Sequence, residues 1–217
     1  MVFEDRTVSA HPALPAGLPA LNADCLDVTK SHVAAVFEAV FGRALAIDPE
    51  HYQGAAVKKS EANGRHDGEI IACPAPRLAG FAYQRLVDTL GPDGLVEDLR
   101  CPTVDGEIPI VFIKRREAER RFANANAEVE MAAPEAVFTA DELNRLAAFC
   151  RAMKLDWGGL DVLRDRGSGA LWVVDVNKTD MGPPTALPLK QKMQAARTLA
   201  AAFRRFAERR VNASEPV

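Results

Sequence analysis

The chain has 217 residues, a formal net charge of -3, 48% apolar residues and 26% charged ones. This is enough for one sizeable domain, or a domain with a flexible lobe, of ordinary globular composition. The weak negative charge argues against a nucleic-acid partner, and no apolar run approaches the roughly 20 residues that span a bilayer. The first 20 residues carry early acids and no unbroken apolar core, so they do not read as a signal peptide. Four scattered cysteines (Cys25, Cys73, Cys101, Cys150) form neither a zinc motif nor a disulfide framework, which suits buried thiols in a reduced, cytoplasmic protein.

Residues 1–29 are rich in Pro and Ala, show no period, and read as an N-terminal arm; residues 211–217 read as a tail. A helix begins at an N-cap, Ser31, shows Val33, Val36, Phe37, Val40 and Phe41 at helical spacing, and stops at Gly42. Short strands are expected over 54–59, 69–73 and 81–87, the first emptying into the polar loop SEANGRHDG. Strands 95–104 and 107–114 form a hairpin about Asp105-Gly106, a favoured two-residue turn. That register sets Arg100 opposite Val111 and Pro102 opposite Pro109; two prolines cannot donate to a ladder, so the hairpin should be irregular or at an edge. A helix over 139–153 has Thr139 and Glu142 as its capping box and Leu143, Leu146, Ala147 and Cys150 on one face. A last helix spans about 189–209, its basic run FRRFAERR reading as a solvated side and C-terminal end.

The segment GGLDVLRDRGSGALWVVDVN, residues 158–177, carries the most chemistry. Folded about a three-residue turn at Gly167-Ser168-Gly169, it sets Asp161 opposite Asp175 and Leu163 opposite Val173. Side chains two apart on a strand share a face, so Asp161, Asp175 and Asn177 converge, while Leu160, Val162, Trp172, Val174 and Val176 form the core side. Like charges directly opposite destabilise a sheet. A bound cation removes that cost, and two carboxylates with an amide suit Mg²⁺. The competing reading is a pair of solvated acids on an exposed face.

On these residues the chain resembles the ATP-grasp superfamily, in the manner of glutamate-ligase-like domains. GGLDVLRDRGSGALWVVDVNKT is similar to its metal-binding hairpin, with Asp175 where Glu is usual. The resemblance covers about residues 30–207 and implies an α+β fold: antiparallel sheets packed with helices, nucleotide between two lobes. The smaller, mobile lobe would span about 50–85 and the larger about 86–210, within a domain covering 30–210. It implies Mg²⁺ on Asp161, Asp175 and Asn177, and ATP phosphates on Lys59, with Lys58 as the alternative. Ser60, Gly64 and His66 would lie in the phosphate-covering loop. FAYQRLVD is similar to the hinge strand, so that Gln84, Arg85 and Leu86 would meet adenine and Asp88 the ribose. EDLRCPTVDGEIPIVFIKRR resembles the segment whose Arg and later basic residue face phosphate or acyl-phosphate: Arg100, with Lys114, Arg115 or Arg116. RRFANANAEVE resembles the phosphate-side loop, offering Asn124 or Asn126. The implied activity is ATP- and Mg²⁺-dependent ligation of a carboxylate to an amine through an acyl-phosphate. Alternatives on the same scaffold are a non-catalytic nucleotide-binding module and a kinase. With only a short segment before the first helix, the resemblance implies a substrate side that is minimal, or supplied by a partner chain or a second copy.

Overall fold

The structure, a computed structural model, describes residues 6–13, 20–123, 127–180 and 182–212. Two antiparallel sheets organise it. The smaller, in the order β2-β1-β3, is built from β1 (Gly54–Ser60), β2 (Glu69–Cys73) and β3 (Phe81–Arg85). The larger, in the order β6-β5-β4-β7-β8, contains β4 (Leu95–Val104), β5 (Val111–Glu117), β6 (Glu128–Ala132), β7 (Trp157–Arg164) and β8 (Leu171–Asn177). The helices are α1 (Lys30–Phe41), α2 (Pro134–Val137), α3 (Ala140–Ala152) and α4 (Leu189–Asn212).

The period-two alternation of the larger sheet decides what covers each face. Leu99, Cys101, Leu160, Val162 and Val176 point to one side and bury against Phe37 of α1 and Leu146 and Phe149 of α3. Each such side chain, fully removed from water, contributes roughly 1.5–3 kcal/mol. Toward one end of the opposite face, Phe112 packs with Leu187, Ala195 and Leu199, and Val104 with Ala202 and Phe206, so α4 lies there. The rest of that face carries charged side chains and looks toward the smaller sheet.

Local signals in the sequence are realised with shifts that have physical causes. Helix α1 is capped two residues earlier than expected: Thr29 Oγ1 accepts from the His32 N–H at 3.2 Å, and Ser31 lies inside the helix. Gly42 closes it in the left-handed conformation, with φ of 72°. The capping box of Thr139 and Glu142 is present in full. The Asp105-Gly106 turn also forms, both residues at positive φ, with Val104 bridging Glu107.

Beyond that turn the hairpin register moves by one residue. Arg100 pairs with Phe112, not Val111, and β5 begins only at Val111. Pro109 therefore lies outside the ladder, and Pro102 has only β7 beside it, opposite Gly159. The hairpin is irregular, as its prolines require, but β4 is the central strand of five and not an edge.

Strand β3 ends at Arg85, two residues short of expectation; β6 begins inside the segment read as a loop, and α2 forms where no element was expected. The described residues of the N-terminal segment make contacts with the domain. Val8 bridges Asp27, and Asn22, 6% exposed, donates to the carbonyls of Trp157 at 2.7 Å and Lys178 at 2.8 Å. Its side-chain amide oxygen, Oδ1, accepts from the Asp156 N–H at 2.8 Å.

Candidate active site

Between the two sheets lies a cleft of about 720 Å³. Its floor is the charged face of β4, β5, β7 and β8; β1, the loop after it and β3 form the opposite wall. Eight Lys and Arg against six Asp and Glu line it among the described residues, a positive balance suited to a polyanion.

Asp161 pairs with Asp175 across β7 and β8, as the sequence indicated. The outer part of that hairpin is displaced: Leu163 meets Trp172 and not Val173, because a bulge interrupts the ladder between Asp161 and Val162. The turn is longer too, closed by Asp165 N–H to Ala170 O at 2.9 Å. The bulge reconciles that longer turn with the Asp161–Asp175 pairing, and Val174 lines the cleft as a result.

The facing carboxylates do not stand uncompensated. Arg100 Nη1 lies 3.3 Å and Lys114 Nζ 3.7 Å from Asp161 Oδ1. Lys30 Nζ lies 2.8 Å from Asp175 Oδ1. Burial alone would raise the Asp161 pKa, but Arg100 and Lys114 outweigh it and hold the carboxyl below its ordinary value. Arg100 is pinned on its other side by Asp180 Oδ1 at 3.1 Å. Asp98 sits between Lys114 at 3.1 Å and Arg116 at 2.7 Å. Burial pushes the Asp98 carboxyl up, with the two cations opposing it.

Two glycines before Asp161 make this packing possible through space rather than backbone freedom. A Cβ at Gly159 would come within 2.6 Å of the Arg100 guanidinium carbon, and one at Gly158 would run into the Asn177 carbonyl. The Gly-Gly pair thus lets Arg100 lie flat across β7 and lets the end of β8 close up, carrying Asn177 to the cleft wall.

From the smaller sheet, Lys59 crosses the cleft and donates to Val174 O at 3.4 Å. Burial pushes its ammonium pKa down, with Asp175 opposing the shift and Lys30 adding to it. The loop after β1 is tied down near its start. Glu61 accepts from the Ser31 N–H at 3.0 Å and from the Ser31 hydroxyl, while Asn63 donates to Val176 O at 3.0 Å and accepts from Lys30. Farther along, Gly68 lies against the Phe122 ring. The loop therefore spans the cleft from α1 to the segment after β5.

Of the residues singled out from sequence, Arg100, Lys114, Arg116, Lys59, Ser60, Gly64, His66, Gln84, Arg85, Leu86, Asp161, Asp175 and Asn177 all line this cleft. Three do not. Lys58 points to the other face of β1, paired with Glu69 and lying over the Phe81 ring. Arg115 faces away with Glu97 at 3.0 Å and Glu130 at 2.9 Å, because the one-residue register shift puts Lys114 and Arg116 on the cleft side. Asp88 is exposed and spends Oδ1 on the Leu90 N–H at 3.0 Å. Asn124 and Asn126 lie outside the described residues.

Lys30, Asp98 and Asp180 were missed. Lys30 had a signal: a lysine in the first turn of a helix stands against the helix dipole and needs a carboxylate partner. Asp98 followed from alternation with Arg100 once the register is known. Gln84 is 1% exposed, and its amide nitrogen has no hydrogen-bond partner. Among the described residues no group of three or more His, Cys, Asp or Glu is arranged to hold a metal; the candidate set here is two acids and an amide. No described helix is long and apolar enough to cross a membrane.

No protein-family model and no curated protein matches the sequence. Solved structures do match in fold. The chain is similar to the ATP-grasp ligase PsnB complexed with a phosphomimetic variant of a minimal precursor, Mg and ADP, at a TM-score of 0.53 and 15% identity. That match covers 81% of this chain and 59% of PsnB, so the chain spans about six tenths of that protein's length. It is similar to D-alanine–D-alanine ligase from Bacillus anthracis at 0.53 and 14% identity, covering 86% of this chain and 69% of that one. It is similar to an L-amino acid ligase from Bacillus licheniformis at 0.51 and 14% identity, over 78% and 44% of the two chains. The fold is the ATP-grasp fold.

Proposed function

We propose that the protein is an ATP-dependent carboxylate–amine ligase that works through an acyl-phosphate on a small-molecule or peptide acid. The observation that carries this reading is the convergence of Asp161, Asp175 and Asn177 with Lys59, Lys30, Arg100 and Lys114 on one cleft between the two sheets of an ATP-grasp fold.

The residues fit Mg²⁺ and a nucleotide. Asp161 and Asp175 face each other across two strands and are neutralised only by cationic side chains, which a metal-bound polyphosphate can replace as partners. Lys59 is held desolvated against one carbonyl and has donors to spare. The buried amide nitrogen of Gln84 lacks an acceptor in the wall where adenine would lie. Bound on Asp161, Asp175 and Asn177, Mg²⁺ would supply charge neutralisation on the transferring phosphoryl group.

The chain's own residues do the remainder. Lys59 and Lys30 bind phosphate oxygens from two sides and fix their position. Lys114 and Arg100, held by Asp98 and Asp180, stand ready to stabilise negative charge that develops as phosphoryl passes to the acid. The loop over residues 61–68 excludes water that would hydrolyse the acyl-phosphate. No side chain acts as a covalent nucleophile; catalysis lies in position and electrostatics.

The test is ADP release by the purified chain with Mg²⁺ and ATP, screened over amino acids and short peptides singly and in pairs. Release that requires both an acid and an amine, with an amide in the product mass, supports the ligase. A phosphorylated product identifies a kinase, and nucleotide binding with no turnover under any pair identifies a binding module; either result displaces the proposal.

A further inference from the structure

Asp180 lies in the segment between β8 and α4 that walls the cleft beside Arg100. Its side chain is 2% exposed. Oδ1 receives Arg100 Nη2 at 3.1 Å, and Oδ2 has no hydrogen-bond partner. A buried carboxylate oxygen left unpaired is costly, and such orphans concentrate where a ligand completes them. Burial pushes this carboxyl up, while Arg100 and the Gly182 backbone N–H oppose that shift. In the ionised form that Arg100 favours, a carboxylate only accepts hydrogen bonds, so the missing partner brings an N–H or O–H, and a positive charge matches it best.

The other acids of the cleft are committed. Asp161 and Asp175 form the facing pair. Asp98 is ion-paired with Lys114 and Arg116; its Oδ1 makes no hydrogen bond either, but it faces the Lys114 ammonium at 3.1 Å, and Glu97 is held by Arg115. Asp67 accepts from the Ser60 N–H at 3.2 Å. Arg100 reaches Asp161 and Asp180 with its two terminal nitrogens, so a group seated on Asp180 Oδ2 lies one guanidinium away from the facing acids.

We infer that Asp180 is the anchor for the amine substrate, accepting a hydrogen bond from its ammonium through Oδ2 and setting it beside the carboxyl that the cations of the cleft activate. This rests on the ligase reading and adds to it a substrate chemistry: the second substrate presents a primary amine, recognised by charge, with Asp180 as the residue that selects it.

The test uses glycinamide, which carries an ammonium and no carboxylate, with trimethylglycinamide as the control that has no ammonium N–H. Saturation-transfer NMR is recorded on the full chain with Mg²⁺ and a non-hydrolysable ATP analogue. The wild type is expected to transfer saturation to glycinamide and not to the control. Asp180→Asn is expected to weaken glycinamide about tenfold or more through loss of a buried charge partner, while Asp180→Glu retains it. Analogue affinity and melting temperature identify variants that have kept the fold, and Asp180→Ser substitutes where Asn does not fold. Equal signals in wild type and the uncharged variant, or no glycinamide signal in the wild type with analogue bound, overturn the inference. Failure of the analogue to bind the wild type removes the ligase reading itself and the anchor with it.

Discussion

Lys30, the first residue of α1, places its ammonium 2.8 Å from the Asp175 carboxylate on β8, with both at the edge of the cleft. The same ammonium donates to Asn63 in the loop after β1. One cation thus ties a helix terminus, a sheet edge and the covering loop together. Replacing it by methionine keeps the apolar stem and removes the charge. Lys30→Met is expected to destabilise the chain by about 3 kcal/mol, the lower end for breaking a buried pair, because Asp175 keeps partial access to water. Urea unfolding measures the loss. Unchanged stability would mean that the pair contributes nothing to the fold.

Lys59 behaves in the opposite sense. Its pKa is depressed below 10.5 by burial, so the unfolded chain holds the proton more firmly than the folded one. Stability is therefore penalised below the depressed value, and the penalty fades as pH rises through it toward 10.5. Lys59→Met removes the penalty. The variant should melt higher than wild type at neutral pH, with the difference shrinking as pH rises, while nucleotide affinity falls by about tenfold or more from loss of a charged hydrogen bond. Thermal melts across pH and a nucleotide titration check both signs; a variant that gains stability without losing affinity would remove Lys59 from the phosphate site.

Neighbouring cations on β5 separate by face. Arg115 is paired on the outer side with Glu97 and Glu130, so Arg115→Ala should cost no more than about 1 kcal/mol and leave nucleotide affinity unchanged. Lys114→Ala leaves Asp98 with Arg116 alone and takes a cation from Asp161, and should reduce turnover sharply with a larger stability loss, about 1–3 kcal/mol. Comparing ADP release in the two variants decides it, since equal effects would contradict the observed register.

Gly159 is a steric requirement. Gly159→Ala puts a methyl against the Arg100 guanidinium, and either Arg100 leaves Asp161 or β7 shifts from β4. A loss of about 1–3 kcal/mol is expected, as for overpacking elsewhere. Pairing it with Arg100→Met should relieve the clash, so that the double variant is less destabilised than the two single losses added together. Simple additivity would show that the methyl fits.

Much of this was legible in the sequence because local chemistry wrote it there. The capping box at Thr139, the turn at Asp105-Gly106 and the alternation that brings Asp161 opposite Asp175 are all short-range signals. What was lost is what depends on long-range pairing. The β4–β5 register changes by one residue because 108–110 leave the ladder, and that register decides what the sequence left open among three cations: Lys114 and Arg116 face the cleft and Arg115 does not. The bulge at β7–β8 compensates a longer turn and leaves no mark in the pattern. The N-terminal segment looked unstructured for lack of a period, yet it is held by Asn22, whose side chain replaces backbone partners at the ends of β7 and β8.

The most direct measurement is calorimetric titration of ATP with and without Mg²⁺ on wild type and on the double variant Asp175→Ala with Asn177→Ala. Circular dichroism and melting would establish that the double variant is folded. Binding by the wild type that depends on Mg²⁺ and collapses in the folded double variant is the expected result. Binding that ignores Mg²⁺, or survives loss of both side chains, would contradict a metal–phosphate role for the end of β8.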